Sequence, residues 1–455
     1  MILESHIQTE NKTRIIENRG NKQNMIIGIT LIFTLIILFL FSTVFYSTGG
    51  TGKPDEELQV LPGDSTQIDS LVPPDTVSIA TEPPDLWLQA RGYSHGNAAW
   101  GPDIIAPFDT LWRIRSNGGR EFFSSPAIRE NVLYFGCNDG LLRAVNALNG
   151  SILWSFSTVC GICGEPAVDS TSVYFGGQDG IIYSLDRMSG SKRWSTGLGY
   201  HVFCSVGILA DSLIISGNSM GKICALHADD GELLWDSEIG GTVLGPAIID
   251  SLAVFSSESG KIAVFDTEGN RLWIREYGRQ ASSPSADSTG IYAGFSDGSV
   301  RKLTITGGEL LWETDIVDNS ARCVLARPVI AGNNIVLIGT NDSRLVALNS
   351  TTGNLLWEQD FENWLQLPPI AGDNCIYVPC DDQRFHLLDL NTGAKLDSLE
   401  MNGYSGTAPL LVNSILYYGN SSGDFIAITG TVETEEEKIV EISPEIIPET
   451  EVTDQ

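Results

Sequence analysis

Eight cysteines and five histidines carry the side chains in this sequence best suited to metal binding, cross-linking or nucleophilic attack. Their spacing limits which of these they could do. Cys160-Gly-Ile-Cys163 has the gap of a zinc or redox pair. A zinc knuckle needs a second such pair, however, and a thiol-disulfide motif needs a βαβ setting; neither accompanies it. Cys163 and Cys204 fall at matching places in a repeat, with Cys160 close in register. A bridge among Cys160, Cys163 and Cys204 is therefore an expectation for an oxidising compartment, set against burial of the thiols as small apolar groups. His6, His95, His201, His227 and His386 have no motif partners. No HExxH, Gly-x-Ser-x-Gly elbow or phosphate loop occurs, and the acidic turns lack the spacing of a calcium loop. Catalytic residues, cofactor ligands and metal ligands are accordingly not expected.

The elements that would position these residues are spelled out by a recurring phrase. AVNALNGSILW at 144–154 returns as SLDRMSGSKRW at 184–194, ALHADDGELLW at 225–235, KLTITGGELLW at 302–312 and ALNSTTGNLLW at 347–357. VFDTEGNRLW at 264–273 is one residue shorter, and LLDLNTGAKLD puts Asp397 in the Trp position. Between phrases lie apolar runs of strand length separated by Asn-Asp-Gly and related dipeptides, which tolerate the positive φ of tight hairpins. Each unit thus reads as a four-stranded antiparallel meander, and a period of about 40 residues with four strands indicates a β-propeller. Trp112, Trp154, Trp194, Trp235, Trp273, Trp312, Trp357 and Asp397 mark eight units. The Trp residues are expected to staple each blade to its neighbour. DTLWRI at 109–114 is an outer strand without a blade, and the unit ending at Gly430 lacks its outer strand. The N-terminal strand should therefore close the ring, leaving no open sheet edge.

In such a ring the repeated positions encode the core, so a site is sought where aligned positions differ. Counting back six residues from each blade's first Pro, with Gly207 in blade three, gives Arg120, Cys160, His201, Gly240, Gly278, Arg322, Glu362 and Gly403. Counting back five gives Glu121, Gly161, Val202, Gly241, Arg279, Cys323, Asn363 and Tyr404. With Trp364, the charged and aromatic members of these rows form a candidate binding rim at one channel mouth.

Outside the repeats, residues 25–47 form an uncharged apolar run long enough to span a bilayer as a helix; a cleaved signal peptide is the competing reading, opposed by the 24 polar residues before the run and the lack of an A-x-A-like site after it. Lys12, Arg14, Arg19 and Lys22 precede it, which places residues 1–24 in the cytoplasm and the propeller in the periplasm or at the cell surface. Residues 48–84, with one Lys and seven acids, and 431–455, with one Lys and nine, have the composition of disordered acidic segments flanking a folded region at 85–430. The formal charge of -30 opposes a nucleic-acid partner.

The A-x-[ND]-x-x-[TN]-G-x-x-x-W phrase and the lead-in WLQARGYSHGNAAWGP at 87–102 resemble the tryptophan-docking repeat of the pyrroloquinoline quinone propeller superfamily. That superfamily includes quinone-dependent dehydrogenases and the outer-membrane assembly scaffold BamB. The resemblance implies an all-β, eight-bladed propeller over roughly 85–430. It also offers two functions. Alcohol-oxidising members carry adjacent cysteines beside the quinone, and this sequence has no Cys-Cys pair. BamB-type members are tethered through a lipid-bearing cysteine, whereas no cysteine here precedes Cys137, so an apolar helix would take its place. The expectation is a membrane-anchored, extracytoplasmic scaffold for a protein partner of the cell envelope, without enzymatic activity. A propeller that binds a small ligand or glycan is the alternative.

Overall fold

The computed structural model of the protein describes residues 97, 99–317 and 326–432. The expected membrane run at 25–47, the linker at 48–84 and nearly all of the acidic tail lie outside the described residues. Among the described residues, no helix is long and apolar enough to cross a membrane.

Eight sheets follow one another along the chain, each built on an antiparallel meander. Blade one comprises strands 127–129, 132–136, 141–146 and 152–157, and the same meander recurs through blade seven, whose outer strand is Lys395–Glu400. The first strands of blades one and two, and those of blades three to seven in turn, touch one another and line the centre of the ring. Strand interiors such as Val132–Gly136 and Ile335–Gly339 are buried because both faces of a central strand are covered by neighbouring blades. Outer strands alternate instead, as in Lys192–Gly197.

The recurring phrase has a physical explanation at the hairpin between third and outer strands. The Asn or Asp ending the third strand folds its carbonyl or carboxylate oxygen over the turn: Asn146 Oδ1 accepts from the amides of Leu148 and Asn149, and Asn349 Oδ1 from those of Thr351 and Thr352. A β-bulge follows. Ala144 pairs with Trp154 and Val145 with Ile152, so Leu153 is the extra residue, and the same shift precedes the Trp position in every blade. The bulge aims the Trp at the next blade. There its indole N–H donates to a backbone carbonyl, Ala147 for Trp112 at 2.8 Å, Arg187 for Trp154 at 3.0 Å and Ala228 for Trp194 at 2.8 Å. Its ring lies on the glycine of the next copy of the phrase. At Gly190, φ is +71° and an added Cβ would sit 2.6 Å from the Trp154 ring, so conformation and space both demand glycine.

Closure is more elaborate than a single added strand. Ile104–Arg115 forms the outer strand of blade eight, antiparallel to Asp424–Val432, which is longer at its start than the 109–114 expected. Ala99–Trp100 pairs in parallel with Leu411–Val412 on the inner side, so this sheet has five strands rather than four. The N-terminal segment therefore flanks both edges of the last blade. What holds it is blade seven. Asn97 exchanges two hydrogen bonds with the backbone of Ala371, and Asp103 Oδ2 accepts from the amides of Asn374 at 2.7 Å and Cys375 at 3.1 Å. An added Cβ at Gly372 would lie 1.7 Å from Asp103 Oδ1, so that approach depends on glycine. Asp397 also finds its reason here: blade eight has no covalent hairpin between its last two strands, hence no glycine turn to receive a Trp from blade seven.

Candidate functional site

Among the described residues, seven connections from an outer strand to the next blade cross one face of the ring and bond to the turn between that blade's second and third strands. The carbonyls of Glu121, Gly161, His201, Thr242, Gln280, Trp364 and Tyr404 accept from the amides of Asn138, Gln178, Ser219, Glu258, Ser296, Asp381 and Ser421. These seven positions are structurally equivalent, and the residues before them, Arg120, Cys160, Tyr200, Gly241, Arg279, Asn363 and Gly403, form a second row. The alignment on proline therefore requires correction. His201 belongs with Glu121 and not with Arg120; Trp364 occupies that same row; Arg279 matches Arg120; and Glu362 lies one residue before the second row. The first strand of blade three begins at Gly207 itself, with Val206 in the proline place. Blade seven has two prolines, of which Pro369 is the equivalent, and in blades four and five the connection is shorter by one residue, Thr242 and Gln280 lying closer to Pro246 and Pro284 than Glu121 lies to Pro126. Val202 is no rim residue: it is buried and packs under Gly176. Arg322 and Cys323 lie outside the described residues.

The structure brings the rim residues to one face but not into one cluster. Tyr404 Oη approaches Glu121 Oε1 at 3.5 Å across blades eight and one, and burial together with the Glu121 charge raises the phenol's pKa. His201 stacks beside Phe203 with ring centroids 5.4 Å apart, and its Nδ1 meets the Gln178 carbonyl. Gln366 Nε2 donates to Asp381 Oδ2 at 2.5 Å, and burial raises the Asp381 pKa. Phe123, Tyr200, Phe203, Trp364 and Tyr404 are all exposed on this face, by 37 to 57%. They belong to the entries of blades one, three, seven and eight, which leaves blades four and five with glycine and Arg279. Tyr200, Phe123 and Phe203 escape a search of two aligned rows, because two lie a step or more inside the rows counted and Tyr200 is hidden by the shift in blade three.

Below the mouth, a cavity of about 180 Å³ is lined by Glu165, Ser205, Gly245, Ser283, Arg327, Gln366 and Pro368. Most of these directly precede the first strand of successive blades. Glu165 enters from blade two and Arg327 from blade six, on opposite sides of an eight-membered ring. Ser205 Oγ donates to Glu165 Oε2 at 3.0 Å, and Arg327 Nε donates to Ser285 Oγ at 3.0 Å. The signal for these residues was the same departure from repetition, nearer the strand than the rows counted above.

The three cysteines considered for a bridge are free thiols. Cys163 Sγ faces Gln178 Nε2 at 2.9 Å and Asn138 Oδ1 at 3.5 Å, while Cys204 Sγ points to the Gly245 carbonyl at 2.8 Å. Cys204 is thus turned toward blade four rather than toward Cys163. Burial pushes the Cys204 thiol up to about 12 and that of Cys163 up to about 11, so neither is a ready thiolate at neutral pH.

Three comparisons bear on this geometry. An outer membrane protein assembly factor BamB of Shewanella oneidensis is 27% identical over 180 residues, covering 36% of this chain and 45% of that protein. The chain spans about half the length of the curated relatives it matches. The crystal structure of BamB from Moraxella catarrhalis superposes with a TM-score of 0.61 at 19% identity, over 71% of this chain and 99% of that one. The quinohemoprotein alcohol dehydrogenase of Comamonas testosteroni reaches a TM-score of 0.66 at 13% identity, over 81% and 82%. At such identities the solved structures speak for the fold alone. The family model described as outer membrane protein assembly factor BamB matches residues 109–202, 204–399 and 318–431. These segments take in the eight blades and their closing strand, and the chain belongs to that family.

Proposed function

We propose that this chain is a non-catalytic docking propeller of the cell envelope, which offers its loop-face mouth to a protein partner. The observation that carries the reading is the arc of exposed aromatics, Phe123, Tyr200, Phe203, Trp364 and Tyr404, gathered on one face beside Arg120, Glu121 and Arg279. Aromatic and arginine anchors dominate protein interfaces because they bury large area at small entropic cost. Relatives named as outer membrane protein assembly factors support a partner of that setting. The uncharged run at 25–47 supports a membrane tether, with the propeller outside the cytoplasm. The test is crosslinking in cells, followed by purification of the tagged full-length protein from solubilised membranes and identification of its partners. A variant with Phe123, Trp364 and Tyr404 replaced by Ala should recover at least about tenfold less partner, as expected for losing anchors of about 2 kcal/mol or more. Its melting temperature should stay near that of the parent. Undiminished recovery by a folded variant would reject the mouth as the docking face.

The cavity between Glu165 and Arg327 favours a second reading, a small polar ligand held at the channel waist. Its lining of Ser205, Ser283 and Gln366 beside Glu165 and Arg327 suits a small polar ligand.

A further inference from the structure

Blade seven carries a group of side chains that the docking function does not use. Cys380 ends its second strand, Asp382 sits in the following turn, and His386 lies on the third strand. Their donor atoms all lie within 4.8 Å of one another. His386 Nε2 is 2.7 Å from Asp382 Oδ2, and the two side chains are only 12% and 13% exposed. Cys380 is 2% exposed, with Sγ 3.6 Å from the Asn363 carbonyl. Asp382 Oδ1 is occupied by the amide of Arg384 at 3.0 Å, which fixes the carboxylate and leaves Oδ2 turned to the histidine.

The other blades show what this hairpin normally contains. Blade one has Cys137, Asp139 and Arg143 at the same three places, and Arg143 Nη2 lies 2.5 Å from Asp139 Oδ2 with both side chains 3% exposed. In blade five Arg301 pairs with Asp297 at 3.1 Å, and in blade two the Tyr183 hydroxyl donates to Asp179 at 2.7 Å. The repeat thus builds a half-buried turn carboxylate and answers it from the residue four positions on, twice with a fixed cation. Blade seven keeps both the carboxylate and the cysteine of blade one but substitutes an imidazole for the guanidinium. Among the described residues this is the group in which sulfur, nitrogen and oxygen donors converge.

We propose that Cys380, Asp382 and His386 form a binding site for a divalent metal ion of the zinc class, occupying the place that the Arg143 guanidinium holds in blade one. Thiolate, imidazole and carboxylate together are a donor set for zinc, with bonds of about 2.0–2.3 Å, and three protein ligands leave a fourth, tetrahedral position for water. Binding replaces the His386–Asp382 hydrogen bond by two metal bonds: the Nε2 proton leaves to solvent, the imidazole keeping one proton on Nδ1, and the Cys380 thiol proton is likewise released to solvent. The ion supplies positive charge at the place where blade one has the Arg143 guanidinium. The hairpin is anchored in the same connection that presents Asn363 and Trp364 at the mouth, so an ion here would brace the blade-seven part of the proposed docking face; the site itself stands whether or not that face binds a protein.

The experiment uses reduced, metal-stripped full-length protein titrated with Co²⁺ as an optical probe and then with Zn²⁺ in competition. The expected result is one equivalent of Co²⁺ with a thiolate charge-transfer band, displaced by Zn²⁺. Cys380→Ser should abolish the band and weaken Zn²⁺ binding by at least about tenfold. His386→Arg, which restores the blade-one pairing, should also abolish it while keeping the circular dichroism and melting temperature of the parent; this variant guards against misfolding of Cys380→Ser. The Cys160→Ser/Cys163→Ser double variant should keep the band. Absence of a band in the parent, its survival in His386→Arg, or its loss in the Cys160→Ser/Cys163→Ser variant would each overturn the assignment.

Discussion

Asp139 and Arg143 show how one residue pair is specified locally and paired only in three dimensions. The acid is legible as a turn former, since its Oδ1 accepts from the Leu141 amide at 3.0 Å within the Asn138-Asp139-Gly140 hairpin. That Arg143 is buried against it is not legible, because strand position alone would make an arginine a solvent-facing residue. Burial pushes the Asp139 pKa up, but hydrogen bonding and charge from Arg143 outweigh it and hold the carboxyl below its ordinary value. A depressed folded pKa contributes stability that is present above the unfolded value of about 4 and lost as pH falls through the folded one. Asp139→Asn should therefore cost about 3–5 kcal/mol at neutral pH by stranding a buried guanidinium. Denaturant titrations should show that difference shrinking below about pH 4, as the parent loses the same charge. The cysteines teach the converse lesson. Matching places in a repeat put Cys163 and Cys204 in register, but side-chain direction aims Cys204 at the Gly245 carbonyl.

At the scale of the element, the phrase that recurs along the chain is a complete set of instructions for one joint. Asn or Asp folds the turn, glycine permits its left-handed residue, the bulge rotates the strand, and the Trp bridges to the next blade. The turn and the Trp were readable from spacing. The bulge was not, because a one-residue insertion in pairing leaves no mark on a sequence whose partner strand is equally regular. Glycine here serves both conformation and contact, and the two can be separated experimentally. Gly190→Ala meets the Trp154 ring at 2.6 Å and keeps φ at +71°, so strain and overpacking together should cost about 2–4 kcal/mol. Gly278 has φ +64° with nothing within 4 Å, and its replacement by Ala should cost only the strain, about 1 kcal/mol. Equal losses in urea denaturation would mean that the Trp yields freely and is not a staple.

For the whole molecule, closure is the feature on which cooperativity depends. Trp112 is fully buried, stacks near Tyr417 and Phe425, and donates to Ala147 in blade one, so one side chain from the N-terminal strand joins the last blade to the first. Trp112→Ala should cost about 3–5 kcal/mol and loosen the closing strand. The freed edge of Asp424–Val432 would then pair between molecules, and light scattering should show a concentration-dependent rise in mass above that of the parent. An unchanged mass would place the closure elsewhere, in the Asp103 and Asn97 contacts with blade seven. The sequence by itself determined the eight blades, their four strands and the closing strand, because periodic apolar runs and hairpin glycines are short-range signals repeated many times. It also singled out Arg120, Glu121 and Tyr404 as places where the repeat departs from itself, and Glu121 and Tyr404 do fall at equivalent points of their connections. Only the tertiary structure decided which rim residues are equivalent, as shorter connections in blades four and five and proline shifts in blades three and seven displace the count by one. It alone placed Glu165 opposite Arg327 and gathered Cys380, Asp382 and His386. Distances across a ring depend on its closure, and the convergence of donors depends on side-chain direction; neither is a property of neighbours along the chain.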